Sequence, residues 1–293
     1  MGLLNVVSFI LNHPLSEGRR LSNLVRFVRW QLGARILPGP VAVDFSNGTK
    51  LLVRHGMTGA TGNVYAGLHD FEEMGFVLHL LRAGDLFVDV GANIGSYTIL
   101  AASRGSHCIA FEPDAESFRW LLWNIGINDM SHRIGAHRAA VGDRNGQAIL
   151  TVGLDTVNHV VTATEDGKDT QVVTMTTLDS VLDGCAPIMI KIDVEGFENA
   201  VINGARATLE KQELCCVLME LAGTGSQYGF DEMQLRTLMS GYGFEECSYA
   251  PFKRRLVLGA SVSSNNALFV RNLPFVQERL KNSPPFTVMG KEL

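Results

Sequence analysis

The chain has 293 residues, 46% of them hydrophobic and 19% charged, with a formal net charge of −5. That length and balance suit one large globular domain or two small ones, and the negative charge argues against nonspecific nucleic-acid binding. Five cysteines lack framework spacing, the adjacent Cys215 and Cys216 lie in an apolar run, and no C-x-x-C pattern occurs; reduced thiols are expected rather than a disulfide scaffold or a zinc site. No stretch reaches the roughly 18–20 apolar residues of a membrane span. Leu3 to Leu11 is short and has no basic flank, so a signal peptide is not expected and a cytoplasmic location is.

Residues 1–38 read as helix, interrupted near Pro14. Arg19, Arg20, Arg26, Arg29 and Arg35 alternate there with Leu21, Leu24, Val25, Phe27, Val28 and Leu32. Such a helix either packs on the domain with a solvated basic face or makes peripheral contact with a membrane or partner. Val41 to Phe45 and Lys50 to Arg54 flank Ser46-Asn47-Gly48-Thr49, a hairpin signal. Residues 1–54 are thus expected as N-terminal helices and a hairpin packed on a main domain at 55–271, followed by a tail at 272–293.

Gly56 to Gly67, rich in glycine and threonine, predicts a loop, and Phe71 to Leu81 a helix. Leu86 to Val90 is an apolar run suited to a parallel strand covered on both faces. Gly91-Ala92-Asn93-Ile94-Gly95 then predicts a tight turn into a helix opening near Ser96, whose free N–H groups face the space beyond the strand. His107 to Phe111 reads as a second strand ending at Glu112-Pro113, with Asp114 capping a helix whose Phe118, Leu121, Leu122 and Ile125 form a core-facing stripe. Ala136 to Val141 predicts a third strand and Gln147 to Val152 one outside the main alternation. Residues 153–170 are polar and aperiodic, as in a loop over a site. Ile188 to Asp193 and Cys215 to Leu221 predict a fourth and fifth strand, with a helix from Gly196 to about Gln212 between them. Phe244 to Tyr249 and Ala267 to Val270 predict a final pair, joined by an excursion from Pro251 to Asn265. Strand and helix in alternation predict a parallel α/β sheet.

Ligands in open α/β sheets bind at the C-terminal strand ends. The first strand places Asp89 there and the second Glu112, about 20 residues on, a spacing that suits a carboxylate accepting from two ribose hydroxyls. A nicotinamide fingerprint has a glycine where Asn93 stands, and the Asn93 side chain would crowd a pyrophosphate. With Asp89 before the turn, a cationic nucleoside such as S-adenosylmethionine fits better. A nicotinamide-dependent oxidoreductase and an inactive binding protein with the same fold are the alternatives, and each acid alone could simply cap a helix.

Val88-Asp89-Val90-Gly91-Ala92-Asn93-Ile94-Gly95, Phe111-Glu112-Pro113-Asp114 and Ile190-Lys191-Ile192-Asp193-Val194-Glu195-Gly196 together resemble the FkbM-type methyltransferases, within the class I S-adenosylmethionine-dependent superfamily. The resemblance runs from the hairpin at 41–54 to Val270, and the last of the three stretches is the specific signal. It implies a Rossmann-like α/β fold with a seven-stranded, mostly parallel sheet of order 3-2-1-4-5-7-6 and helices on both faces. It implies that Asp89, Gly91, Ala92, Asn93 and Gly95 surround the methionine part of the cofactor, that Glu112 holds the ribose, that Asp143 reaches the adenine amine, and that Asp193 borders the cofactor. It also implies O-methylation of a small-molecule or glycan hydroxyl; RNA is a further candidate acceptor, and the acidic balance and lack of a clear basic stripe lead us to expect no nucleic acid as partner.

An aliphatic hydroxyl needs a base to become a good nucleophile. Strand alternation puts Lys191, Asp193 and Glu195 on one side and Ile190, Ile192 and Val194 on the other. Asp193 or Glu195 would then orient or deprotonate the acceptor while Lys191 keeps the acid ionised; the alternative is a structural lysine–acid pair beside the next helix. His159 and Glu220 are further candidates for acceptor contact. Trp120 and Trp123 could stack a sugar, and Lys253-Arg254-Arg255 could meet an anionic acceptor, where packing and solvation are the plain readings. No metal set is expected, because Asp193 and Glu195 lack an obvious third ligand.

Overall fold

The computed structural model describes residues 3–36, 39–151, 159–161, 169–221, 231–259 and 265–293. Its centre is the apolar run at Leu86–Val90, labelled β1. Seven more strands join it in one sheet: β2 (His107–Phe111), β3 (Ile134–His137), β4 (Met189–Ile192), β5 (Cys216–Glu220), β6 (Glu245–Ala250), β7 (Arg255–Leu258) and β8 (Asn266–Val270). Their order is β3-β2-β1-β4-β5-β8-β6-β7. The first five in chain order pair in parallel, and β8 runs antiparallel to both β5 and β6.

The period-2 alternation of the central strands sorts the core into two layers. Phe87, Met189 and Cys216 point to one face, whose cluster also takes in Ile10, Phe27, Trp30, Leu280 and Leu293 from the two ends of the chain. Val88, Ile190 and Val217 point to the other, against Val201, Leu209, Leu235 and Met239. Both faces are covered, which is why these strands read as continuous apolar runs. Residues 272–293 supply a helix at Leu273–Lys281 and a small hairpin, Thr287–Val288 with Lys291–Glu292, and Val276, Leu280 and Val288 are buried.

Four sequence expectations change. The sheet has eight strands rather than seven, because Arg255–Leu258, inside the expected excursion, folds back on β6 through a left-handed turn at Arg254 (φ 48°). The third strand ends at His137, and Ala140–Val141 belongs instead to a separate four-stranded sheet with Gly146–Thr151, Val160–Val161 and Thr170–Thr176. Thr58–Ala66 is helical, not a loop: Ala60, Val64 and Tyr65 are buried, and Gly62 sits where a Cβ would collide with the His69 ring. Tertiary packing overrides the poor helix propensity of glycine and threonine there. The helix expected from Gly196 to Gln212 divides into Glu198–Asn203 and Arg206–Glu210. Of the aperiodic stretch at 153–170, residues 153–158 and 162–168 lie outside the described residues.

Candidate functional site

The C-terminal ends of β1, β2, β4 and β5 open into a cavity of about 1310 Å³. β1 delivers Asp89 and then reverses through Gly91 (φ 77°), Asn93 (φ 50°) and Gly95 (φ 91°). The Gly91 and Ala92 N–H groups donate to the Phe111 carbonyl at 3.0 and 2.9 Å, tying the turn to the end of β2. A Cβ on Gly91 would stand 1.8 Å from the Asp193 carbonyl oxygen, so only glycine lets this turn pass the end of β4.

Asp89 is fully buried, and burial raises its carboxyl above the usual range while Lys191 pulls it back. Thr98 Oγ1 donates to Asp89 Oδ2 at 2.5 Å, whereas Oδ1 has no hydrogen-bond partner among the described residues. Glu112, also buried, accepts one backbone N–H on each oxygen, from Asp114 at 2.9 Å and from Asn93 at 2.8 Å. Those bonds fix the carboxylate plane and leave a lone pair on each oxygen for a further donor. Burial nevertheless lifts its pKa to about 7.

A cluster of charged groups is built at the end of β4. Lys191 Nζ lies 2.8 Å from Asp193 Oδ2 and 4.8 Å from the centre of the Tyr97 ring. The strand ends at Ile192, and the chain turns at Glu195 (φ 54°) and Gly196 (φ 101°), so Glu195 reaches the cavity from a turn rather than by strand alternation. The buried Glu198 holds that turn, accepting from Val194 N at 3.3 Å and Gly196 N at 3.1 Å. Glu220, from β5, lies beside Asp193. Carboxylate oxygens of Asp193, Glu195 and Glu220 all lie within 4.8 Å of one another, so the fold supplies the third acid that sequence spacing did not place beside the first two. Lys191 holds Asp193 low, while burial and the neighbouring Asp193 push Glu195 up to about 7 and Glu220 to about 9. The lysine and a proton on Glu220 therefore offset much of the trio's negative charge.

Asp89, Gly91, Ala92, Asn93, Glu112, Lys191, Asp193, Glu195, Glu220 and His159 all line the cavity. Gly95 stands just behind it, where a Cβ would meet Leu121 Cδ1 at 2.5 Å. Asp143 does not line it: it is exposed and paired with Arg144, because the residues before it turn away into the second sheet. Trp120 and Trp123 pack edge to face at 5.0 Å away from the cavity, and Arg254 donates to the carbonyls of Ser283 and Leu293. The sequence reading missed the wall contributed by Phe9, His13, Trp30, Gln31 and Arg35, and the Tyr97 hydroxyl that donates to Asp70 Oδ2 at 2.9 Å. The apolar spacing of Phe27, Trp30 and Ala34 was the available signal that one face of that helix is buried.

A mostly parallel α/β sheet with a glycine turn after its first strand and an acid after its second is a nucleoside-binding arrangement that class I S-adenosylmethionine-dependent methyltransferases share with other Rossmann-like enzymes, and the family match decides between them. The family model described as "Methyltransferase FkbM domain" matches residues 89–246, more than half of the chain, and the chain belongs to that family. Among curated proteins, a tRNA (guanine(37)-N(1))-methyltransferase from Danio rerio is 41% identical over 58 residues, which is 20% of this chain and 12% of that protein. Among solved structures, the methyltransferase FkbM from Methylobacillus flagellatus KT aligns at 19% identity over 65% of this chain and 45% of its own, with a TM-score of 0.45. The C-terminal domain of a precorrin-6Y C5,15-methyltransferase from Rhodobacter capsulatus aligns at 17% identity over 66% of this chain and 84% of its own, with a TM-score of 0.37. The chain thus spans less than half the length of the first two.

The cofactor is S-adenosylmethionine. The cavity fits it: the unpartnered Asp89 oxygen suits a cation, the cradle left open by Gly91 suits close approach, and the free lone pairs of Glu112 suit a diol. Glu112→Gln is expected to weaken S-adenosylhomocysteine binding by about 10–100-fold, because a charge-assisted acceptor is lost and one backbone N–H loses its partner. Titration calorimetry measures this, and unchanged affinity would remove Glu112 from the cofactor site.

Proposed function

We propose that the protein transfers a methyl group to a hydroxyl of a sugar, glycan or natural-product acceptor. The observation that carries the reading is Glu195, a cavity carboxylate raised to about 7 beside Asp193 and Glu220. A base of that pKa suits proton removal from a hydroxyl near neutral pH. When bound, S-adenosylmethionine supplies an electrophilic methyl group on a sulfonium. Glu195 takes the acceptor proton, Asp193 orients the hydroxyl, and Lys191 keeps Asp193 ionised. Asp89, Glu112 and the turn from Gly91 to Gly95 hold the donor, so that much of the rate comes from alignment. Five free cysteines suit a reducing compartment, and we place the reaction in the cytoplasm.

Glu195→Gln is expected to lower turnover by about 10²–10⁴-fold while leaving S-adenosylhomocysteine affinity unchanged. The unaltered enzyme should gain activity as pH rises through about 7, where Glu195 ionises, and the variant should lose that step. Product S-adenosylhomocysteine, measured across a panel of glycosides, reads both effects. Full turnover in the variant sinks the base role. The 58-residue likeness to a tRNA methyltransferase puts tRNA transcripts on the same panel, and turnover on RNA alone would overturn the hydroxyl reading.

A further inference from the structure

The helix at Arg20–Ile36 carries two apolar faces. Asn23, Phe27, Trp30 and Ala34 form the buried one, against the core. Leu21, Val25, Val28, Leu32 and Ile36 recur at steps of four, three, four and four, on the opposite side of the helix. All five are exposed, from 42% at Val25 to 76% at Leu21. A continuous apolar stripe on an outer helix face marks an interaction surface.

The charges beside the stripe say which kind. At 3.6 residues per turn, Arg29 lies along one edge and Arg35 along the other. No Asp or Glu occurs anywhere from Gly18 to Ala42, although the whole chain carries a net charge of −5. Arg19 and Arg26 belong elsewhere: Arg19 donates to the Met289 and Gly290 carbonyls, and Arg26 reaches Met289. Two copies packed stripe to stripe would bring like-charged edges together, which opposes self-association. An apolar stripe between basic edges is complementary to lipid chains below anionic headgroups.

We propose that this face docks the protein, in the plane of the interface, on an anionic phospholipid bilayer. Four arginines and no long apolar run make it a surface helix, and no helix among the described residues is long and apolar enough to cross a membrane. Gln31 and Arg35 of the same helix line the cavity, so docking places the cavity at the lipid surface.

Flotation of the full chain with vesicles tests this, and it needs no turnover, so it stands or falls apart from the methyl-acceptor reading. With vesicles of equal parts phosphatidylglycerol and phosphatidylcholine, the chain should float. With phosphatidylcholine alone, or in high salt, recovery should fall by about tenfold or more. Leu21→Ser/Val28→Ser/Leu32→Ser should abolish flotation, and Arg29→Glu should weaken it, with S-adenosylhomocysteine affinity intact in both. The single exposed change at Arg29 keeps the test valid if the triple variant folds poorly. Failure of the unaltered chain to float overturns the proposal, as does flotation that survives both variants. A dimer that the triple variant dissolves, without vesicle binding, would assign the stripe to a second copy of the chain and overturn it equally.

Discussion

Gly91→Ala is expected to destabilise the protein by more than about 3 kcal/mol and to abolish S-adenosylhomocysteine binding. Two costs combine. The residue sits at φ 77°, where an L side chain costs roughly 1–2 kcal/mol. The added Cβ also falls 1.8 Å from the Asp193 carbonyl oxygen, and relief requires separating the ends of β1 and β4. Gly84→Ala isolates the first cost, since Gly84 has φ 85° and nothing within 4 Å of its would-be Cβ. Urea denaturation of both variants decides the matter. Equal losses would show that the carbonyl contact yields freely and that β1 and β4 are not locked together at their ends.

Lys191→Met should cost about 2–3 kcal/mol at neutral pH, at or below the low end for breaking a buried ion pair, because Asp193 keeps 36% of its side-chain surface in water. Lys191 is itself buried and attracts both Asp193 and Asp89. The sign of the pH dependence follows from Asp193, whose pKa is lowered in the folded protein. Its contribution to stability is present above the unfolded carboxylate pKa and fades as pH falls through the folded one. In the variant that depression is gone, so the deficit relative to the unaltered protein should stay full from about pH 7 down to about pH 4 and shrink as pH falls further, through the folded Asp193 pKa. Denaturation curves carried below about pH 4 measure it. A deficit that stays constant with pH would mean the loss is one of packing against Tyr97 rather than of charge.

The strand and glycine turn at Val88 to Tyr97 were legible in the sequence because they are local. A strand, a glycine turn and a helix start occupy ten consecutive residues from Val88 to Tyr97, and each residue type there answers a backbone demand. Glu112 and Asp193 follow at strand ends, where topology alone brings them together. The rest of the cavity was less legible because it is assembled from distant segments. Glu220 meets Asp193 only through sheet order, and Phe9, Gln31 and Arg35 reach the cavity only because their helices cover one face of the core. Nothing local distinguishes such a helix from one that merely packs. Asp143 failed for the opposite reason: the turn containing it was read as following a strand of the main sheet, whereas Ala140–Val141 pairs with Thr170–Thr176. Glu198 was overlooked because a glutamate early in a helix reads as a favourable dipole partner, and its use in bracing the preceding turn appears only in three dimensions.

The meeting of Gly91 with the Asp193 carbonyl gives the site a fixed datum. The wall formed by the glycine turn and the wall that carries the acids touch there through main chain, with no side chain between them. Main-chain atoms at the ends of central parallel strands have no rotamers to exchange, so the spacing of the two walls does not depend on how the cavity's rim rearranges. An in-line displacement tolerates little error in that spacing. On the proposed reading, the rim can therefore be remodelled to admit a differently shaped acceptor while the stroke length of the transfer stays the same.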